Sequence, residues 1–443
     1  MKKIITNCII INEGERFVGG VVIDGEKILS VFKGKPDFPL DGEVIDAAGK
    51  WLIPGVIDEH VHFREPGATH KADIASESAA AVAGGVTSFM DMPNNTPAAV
   101  SLSLLEKKYA RAAETSVANY SFYLGADNSN ISEIKRIDPH HICGVKVFMG
   151  SSTGNMLVDA PKSLSAIFAE SPVLIAAHCE EENIISHNLQ QFKQEYGENI
   201  PAKFHSLIRS EEACIRSTAK AIELALRYQS RLHILHLTTA KEIINFPTET
   251  HISGEICAHH LWFYDEDYAT LGNLIKCNPS IKGANDREAL RRAVHSGTIG
   301  VVASDHAPHL WDEKQLPYLQ APSGIPMVQH TLQVMLELCK QHVFTPEQVI
   351  ERMCHGPAKT FGIQQRGFIR EGYYADLVLV EPNADYMVDK TNIRYKCEWS
   401  PFEGTTFHSR ITHTFVNGHL VWHEGQIDNS KKGQRLIFNS PLK

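Results

Sequence analysis

Between residues 56 and 303 the chain alternates short apolar runs with longer amphipathic stretches, and this alternation narrows its possible folds more than any other feature. The runs are Val56–His60, Thr87–Met90, Ser121–Leu124, Gly144–Phe148, Val173–Ala177, Leu232–Leu235, Ile252–Ala258 and Ile299–Ala303, eight in all. Between many of them lie helical stretches such as Lys71–Ala83, closed by Gly84-Gly85, and Ser210–Tyr228, where alanines and leucines recur at helical spacing. Repeated βα units around a parallel sheet explain that texture. Eight of them within residues 54–365 predict a (β/α)8 TIM-like barrel with insertions. A doubly wound open sheet is the alternative, but no G-x-G-x-x-G or phosphate-loop pattern follows an early strand.

Both ends of the chain have a different character. Ile4–Ile11, Phe17–Ile23 and Lys27–Val31 are short β segments, with Asp24-Gly25 where a tight hairpin needs positive φ. Ala375–Val380, Thr412–Val416 and His419–His423 look alike, with Asn417-Gly418 as a second hairpin signal. Residues 1–53 plus 366–443 are therefore expected to form one small discontinuous β-sandwich domain flanking the barrel of residues 54–365.

Bulk properties exclude several functions. Lys plus Arg number 43 against 52 Asp plus Glu, a net charge of −9 that offers no nucleic-acid surface. Any anionic ligand must be held by local cations. The nine cysteines form no C-x-x-C pair, which argues against a disulfide framework or thiolate zinc site and fits a reducing cytoplasm. The opening MKKIITNCIIINEGE reads as a strand without a small-residue cleavage site, and no run approaches the ~20 apolar residues of a membrane span.

In barrels of this kind the active site lies at the C-terminal ends of the strands. There this chain places His60, His62 and Arg64 after strand one, Asn94 after strand two, Lys146 in strand four, His178 after strand five, His236 after strand six, and Asp305 with His309 after strand eight. His60 and His62, two residues apart on a strand, project the same way as metal ligands do. Arg64 presents a planar fork suited to carboxylates.

Four histidines and an aspartate exceed the needs of one catalytic zinc, which suggests two metals. Two ions ~3.5–4 Å apart need a bridging anion. Strand four offers no suitable carboxylate but does carry Lys146, whose neutral amine can take up carbon dioxide as a carbamate.

The segments HVHFREPG, GGVTSFMDMPNNTP, GVKVFMGSS, AAHCEEE, ILHLTTA, CNPSIKG, SDHAPH and GPAKTFGIQQRGFIREGYYADLVLVEP together resemble the amidohydrolase superfamily and, within it, the dihydroorotases. The resemblance covers nearly the whole chain in order. It implies a barrel with a flanking β-sandwich, two zinc ions, and reversible closure of N-carbamoyl-L-aspartate to L-dihydroorotate plus water in pyrimidine biosynthesis. On this resemblance His60 and His62 would bind the first zinc, His178 and His236 the second, and carbamylated Lys146 would bridge them. Asp305 would bind the first zinc and serve as general base and acid. Arg64, Asn94 and His309 match positions that hold the substrate's free carboxylate, and Asn278 matches a loop residue that contacts the ring. Ser280 and Lys282 depart from the proline and arginine usual in relatives, and GIPMVQH around Met327 departs from a glycine-leucine-glutamate pattern. The family suggests a homodimer.

Two other readings stay open. An allantoinase or hydantoinase-type enzyme would act on a ring without a carboxylate, and Arg64 discriminates against it. A catalytically silent relative would serve as an assembly subunit, for instance beside aspartate carbamoyltransferase, and the complete set of candidate ligands argues against that. The stretch from Pro308 to Gly324, rich in Pro and Leu with Trp311 and Tyr318, is a candidate mobile lid.

Overall fold

Apolar runs flanked by amphipathic helices become strands that are covered on both faces, and all eight runs do so. A computed structural model of the chain describes residues 2–150 and 156–439. Ser151 and Ser152 of GVKVFMGSS and residues 440–443 of the C-terminal β segment lie outside the described residues. The barrel strands are Val56–Val61, Val86–Asp91, Asn119–Phe122 continuing as Leu124–Gly125, Val145–Phe148, Ile175–His178, Leu232–Ile234, Ile252–Cys257 and Val301–Ala303. Each pairs in parallel with the next. The sheet closes on itself where Val61 bridges His306 in parallel. The fold is thus the expected (β/α)8 barrel.

Closure depends on a buried carboxylate. Asp58 Oδ1 accepts from the Ser304 amide at 3.1 Å and from the His60 amide at 3.4 Å, tying the first strand to the end of the eighth. The His62 amide donates to His306 O at 2.7 Å, and Ser304 Oγ donates to His60 O at 3.3 Å. The two strands with the densest polar chemistry are therefore locked together at their C-terminal ends.

Helix boundaries follow capping. The stretch expected to be helical from Lys71 begins at Ile74, because the Asp73 carboxylate accepts from the Ser76 amide and so sets the N-cap. The later helix runs Glu211–Tyr228 with Ser210 at its cap and Glu211 and Glu212 in the first turn, where acidic groups suit the helix dipole.

Strands from both termini build one sheet of the discontinuous β domain. Lys3–Asn12, Glu15–Asp24, Lys27–Lys33, Glu43–Asp46 and Trp51–Pro54 come from the N-terminal part; Leu377–Glu381, Arg410–Val416, His419–His423 and Gln426–Ile427 come from the C-terminal part. The halves join where Trp51–Pro54 pairs antiparallel with Leu377–Glu381. Both hairpin signals hold: Gly25 has φ +60°, and Asn417 and Gly418 have φ 51° and 72°, as a tight two-residue hairpin loop requires. The two turns touch, since a Cβ on Gly418 would lie 2.2 Å from Gly25 O.

A buried polar network fastens this sheet to the barrel. Arg366 is ion-paired with Asp376 and donates from Nη1 to Asn417 Oδ1 at 2.7 Å. Asn119, on the third barrel strand, donates to Asp376 Oδ2 at 3.2 Å and accepts from Asn417 Nδ2 at 2.8 Å. Among the described residues no helix is long and apolar enough to cross a membrane, and all nine cysteines are free. The network yields a stability prediction. Asp376→Ala leaves the Arg366 guanidinium buried without its counter-charge, and removing one partner of a buried pair costs about 3–5 kcal/mol. A lower denaturant midpoint at unchanged slope is expected; an unchanged midpoint would remove the pair from the load that holds sheet to barrel.

Candidate metal centre and substrate pocket

At the C-terminal ends of the strands lies a cavity of about 220 Å³. Its walls contain His60, His62, Arg64, Asn94, Lys146, His178, His236, Asn278, Asp305 and His309, so all ten candidate catalytic, metal and substrate residues lie at one pocket. Phe148, Ala307, Pro322, Ser323 and Gly324 complete the lining. Three of the lining residues, Arg64, His236 and Asp305, have φ of 64°, 39° and 45°. Left-handed backbone at non-glycine residues is costly and gathers where a strand end must aim a side chain.

The hydrogen bonds fix which imidazole atoms face the cavity. His60 Nδ1 lies 2.6 Å from Glu255 Oε1 and His62 Nδ1 lies 2.7 Å from Asn94 Oδ1. Both partners are acceptors, so each ring carries its proton on Nδ1 and presents a lone pair at Nε2. Both Nε2 atoms lie 3.2 Å from Asp305 Oδ1. Three acceptor atoms thus converge with no proton among them. Such a cluster asks for a cation, and ligand atoms about 2.0–2.2 Å from a tetrahedral zinc sit at about this mutual spacing.

A second pair stands beside it. His178 Nε2 faces Glu180 Oε2 at 3.0 Å, which leaves its Nδ1 toward His236 Nε2 at 2.9 Å. Burial lowers the pKa of both rings and takes His62 down to about 4, so all three are neutral imidazoles at physiological pH. The Nδ1 atom of His236 is buried with no hydrogen-bond partner in the structure. Lys146 is 1% exposed, and burial pulls its ammonium down to about 8. More of it is neutral amine at physiological pH than in a free lysine.

The other end of the pocket is built around His309. Lys71 Nζ lies 3.2 Å from His309 Nδ1 and can only donate, so Nε2 carries the ring proton and gives it to Ser323 O at 3.1 Å. Arg64 Nη2, 3.0 Å from that same Nε2, therefore meets a donor and not an acceptor. Its Nε donates to Pro308 O at 3.1 Å, which holds the guanidinium in place. The side-chain amide oxygen of Asn278 is buried with no hydrogen-bond partner in the structure.

Glu255, Glu180 and Arg209 stand beside the site and were not singled out from the sequence. Glu255 accepts from His60 and, at 3.0 Å, from the amide of His236, so one carboxylate orients candidate ligands on two strands. Its signal was present, a carboxylate inside the apolar run Ile252–Ala258. Glu180 is held by the Arg209 guanidinium, which overrides burial and keeps the carboxyl well below its usual range. Ser280 and Lys282, the departures in CNPSIKG, satisfy each other: Lys282 Nζ donates to Ser280 Oγ at 2.8 Å, and Ser280 Oγ donates to Arg209 O at 2.9 Å. Met327 is fully buried outside the cavity lining, and its amide donates to His306 Nδ1.

Comparison with known proteins identifies the family. The amidohydrolase family model matches residues 51–421. A dihydroorotase of Halobacterium salinarum is 33% identical over 91% of this chain and 93% of its own length. One of Methanosarcina acetivorans is 30% identical over 94% of this chain and 90% of its own. Among solved structures, the L-hydantoinase (dihydropyrimidinase) from Arthrobacter aurescens superposes with a TM-score of 0.92 over 98% of this chain and 99% of that one, at 24% identity. The dihydropyrimidinase from Brevibacillus agri gives 0.88 over 96% of each chain, also at 24% identity. These two likenesses establish the shared fold. With the family model spanning the barrel and much of the C-terminal sheet, the chain belongs to the amidohydrolase family.

Proposed function

We propose that this metal-dependent hydrolase of cyclic amides is a dihydroorotase, interconverting L-dihydroorotate plus water with N-carbamoyl-L-aspartate in the pyrimidine pathway of a reducing cytoplasm. The observation that carries the reading is the Arg64 guanidinium. It is held at the pocket edge with Nη2 facing the protonated nitrogen of His309, and Lys71 stands behind that ring. A donor set of this kind in a chain of net charge −9 is built for an anion, and the free carboxylate of dihydroorotate supplies one. The curated relatives at 33% and 30% identity carry the same activity in their names.

In this reading His60, His62 and Asp305 would hold one zinc ion and His178 and His236 a second, with Lys146, as its carbamate, supplying a further anionic ligand. When bound, such a pair acidifies water from 15.7 to roughly 7 and polarises a carbonyl as a Lewis acid. The chain's own residues do the rest. Arg64, Asn94 and His309 grip the carboxylate and so fix the ring with its amide carbonyl over the metal ligands. Asn278, with its amide oxygen buried and unbonded, receives a ring N–H. Asp305 takes the proton of the attacking water and passes it to the leaving ring nitrogen as the amide C–N bond breaks. Closure of the ring runs the same steps backwards.

The identity of the residues gives kinetic predictions. Asp305→Asn removes the proton acceptor, and general-base loss of about 10²–10⁴-fold in kcat is expected with the fold retained; turnover within a few-fold of wild type would take Asp305 out of that role. Arg64→Met loses a desolvated charge contact worth about 2–5 kcal/mol, at least about thirtyfold in kcat/KM for dihydroorotate, carried chiefly by KM. An equal loss on hydantoin, whose ring carries no carboxylate, would count against the clamp and favour a hydantoinase-type substrate.

A further inference from the structure

Two lysines outside the catalytic set are buried behind the pocket wall. Lys314 is 2% exposed, and its Nζ donates to three backbone carbonyls, Lys276 O at 3.1 Å, Pro322 O at 3.0 Å and Gly324 O at 2.9 Å. Lys276, 7% exposed, sends its Nζ to Tyr318 O and Ala321 O, both at 2.6 Å, and lies over the Tyr318 ring. The backbone closes the same circuit, since the Gly324 amide donates to Lys276 O at 2.8 Å. Tyr318 is anchored in turn through its hydroxyl to His205 Nδ1 at 2.8 Å, and His205 Nε2 reaches Cys277 O at 2.8 Å. Loop 308–324 is thereby tied at both lysines to the segment after the seventh strand that carries Asn278.

Three acceptors around Lys314 match the three donors of an ammonium, whereas a neutral amine has only two. Burial pulls the group down to about 7, with the cations of Lys276 and Arg64 adding to that pull and Cys277 and Glu313 opposing it. The full set of carbonyls, none of which meets another side-chain cation among the described residues, favours the charged form. An apolar side chain at position 314 would take the donor from Pro322 O and Gly324 O, and one at position 276 would take it from Tyr318 O and Ala321 O.

We propose that Lys276 and Lys314 are positioning residues that determine specificity: two buried ammonium groups pin loop 308–324 as a fixed wall of the pocket, holding Ser323 O and His309 where they aim Arg64 at an anionic substrate. The candidate lid of the sequence is in this account a rigid clamp. His309 is the link. Its ring proton is given to Ser323 O, one residue from the Gly324 carbonyl that Lys314 holds, and that bond leaves Arg64 Nη2 available. A loosened loop frees Ser323 O, and the His309 ring can then turn and offer Arg64 an acceptor.

The substrate side of this inference rests on the dihydroorotase reading; the pinning does not. Hydrogen exchange on the metal-loaded wild-type protein tests the pinning directly. The amides of Lys314 and Gly324 are expected to be protected like those of the barrel strands; exchange as fast as that of an exposed loop would overturn the proposal whatever the substrate proves to be. In Lys314→Met and Lys276→Met, exchange in 308–324 should rise at least tenfold while metal content stays at the wild-type level. KM for dihydroorotate should rise about tenfold with kcat within threefold. Unchanged exchange and KM in both variants would refute the assignment, as would a fall in kcat with KM unmoved. If the wild type exchanges slowly but does not turn over dihydroorotate, the substrate reading fails and the pinned wall stands.

Discussion

The site depends on three acceptor atoms brought together without a proton between them: His60 Nε2, His62 Nε2 and Asp305 Oδ1. Left alone, lone pairs at 3.2 Å repel, and burial removes the water that would screen them. Barrel closure forces the approach. Asp58 draws the eighth strand onto the first, the Val61–His306 bridge seals the seam, and Glu255 and Asn94 take the Nδ1 protons of the two rings. Cation affinity is therefore a consequence of the way the sheet closes.

Electrostatic division of labour follows from the same layout. One end of the pocket collects neutral imidazoles and an ionised carboxylate, whose common demand is positive charge. The other collects Arg64, Lys71 and Lys314 around a neutral His309, whose pKa burial and these three cations push well below its usual value. A substrate with an amide to hydrolyse and a carboxylate to hold would span the two ends. The overall charge of −9 makes the second end a local exception that must be assembled from specific side chains.

Much of this was legible in the sequence because barrel strands carry their chemistry at a fixed place. Eight apolar runs located the strands, and the polar residues within or just past their C-terminal ends located His60, His62, Arg64, Lys146, His178, His236 and Asp305. What the sequence concealed is what depends on partners far along the chain. Glu255 meets His60 from 195 residues away, and Trp399 donates to His309 O from 90 residues away. The start of the helix at Ile74 turned on one cap, Asp73, within a stretch of otherwise suitable helix formers. Loop 308–324 looked like a lid because Pro, Leu and aromatic residues without periodicity read as loop. Only the carbonyls around Lys314 and Lys276 reveal that it is held.

The most direct test of the account is turnover of dihydroorotate and of hydantoin by one preparation of purified protein whose metal content is measured on the same sample. Turnover confined to dihydroorotate, with about two divalent ions per chain as a binuclear hydrolytic site requires, is the expected result. A folded, metal-free protein that turns over neither substrate would contradict the reading of the converging acceptors. Turnover of hydantoin alone would leave the metal centre standing and overturn the role given to Arg64.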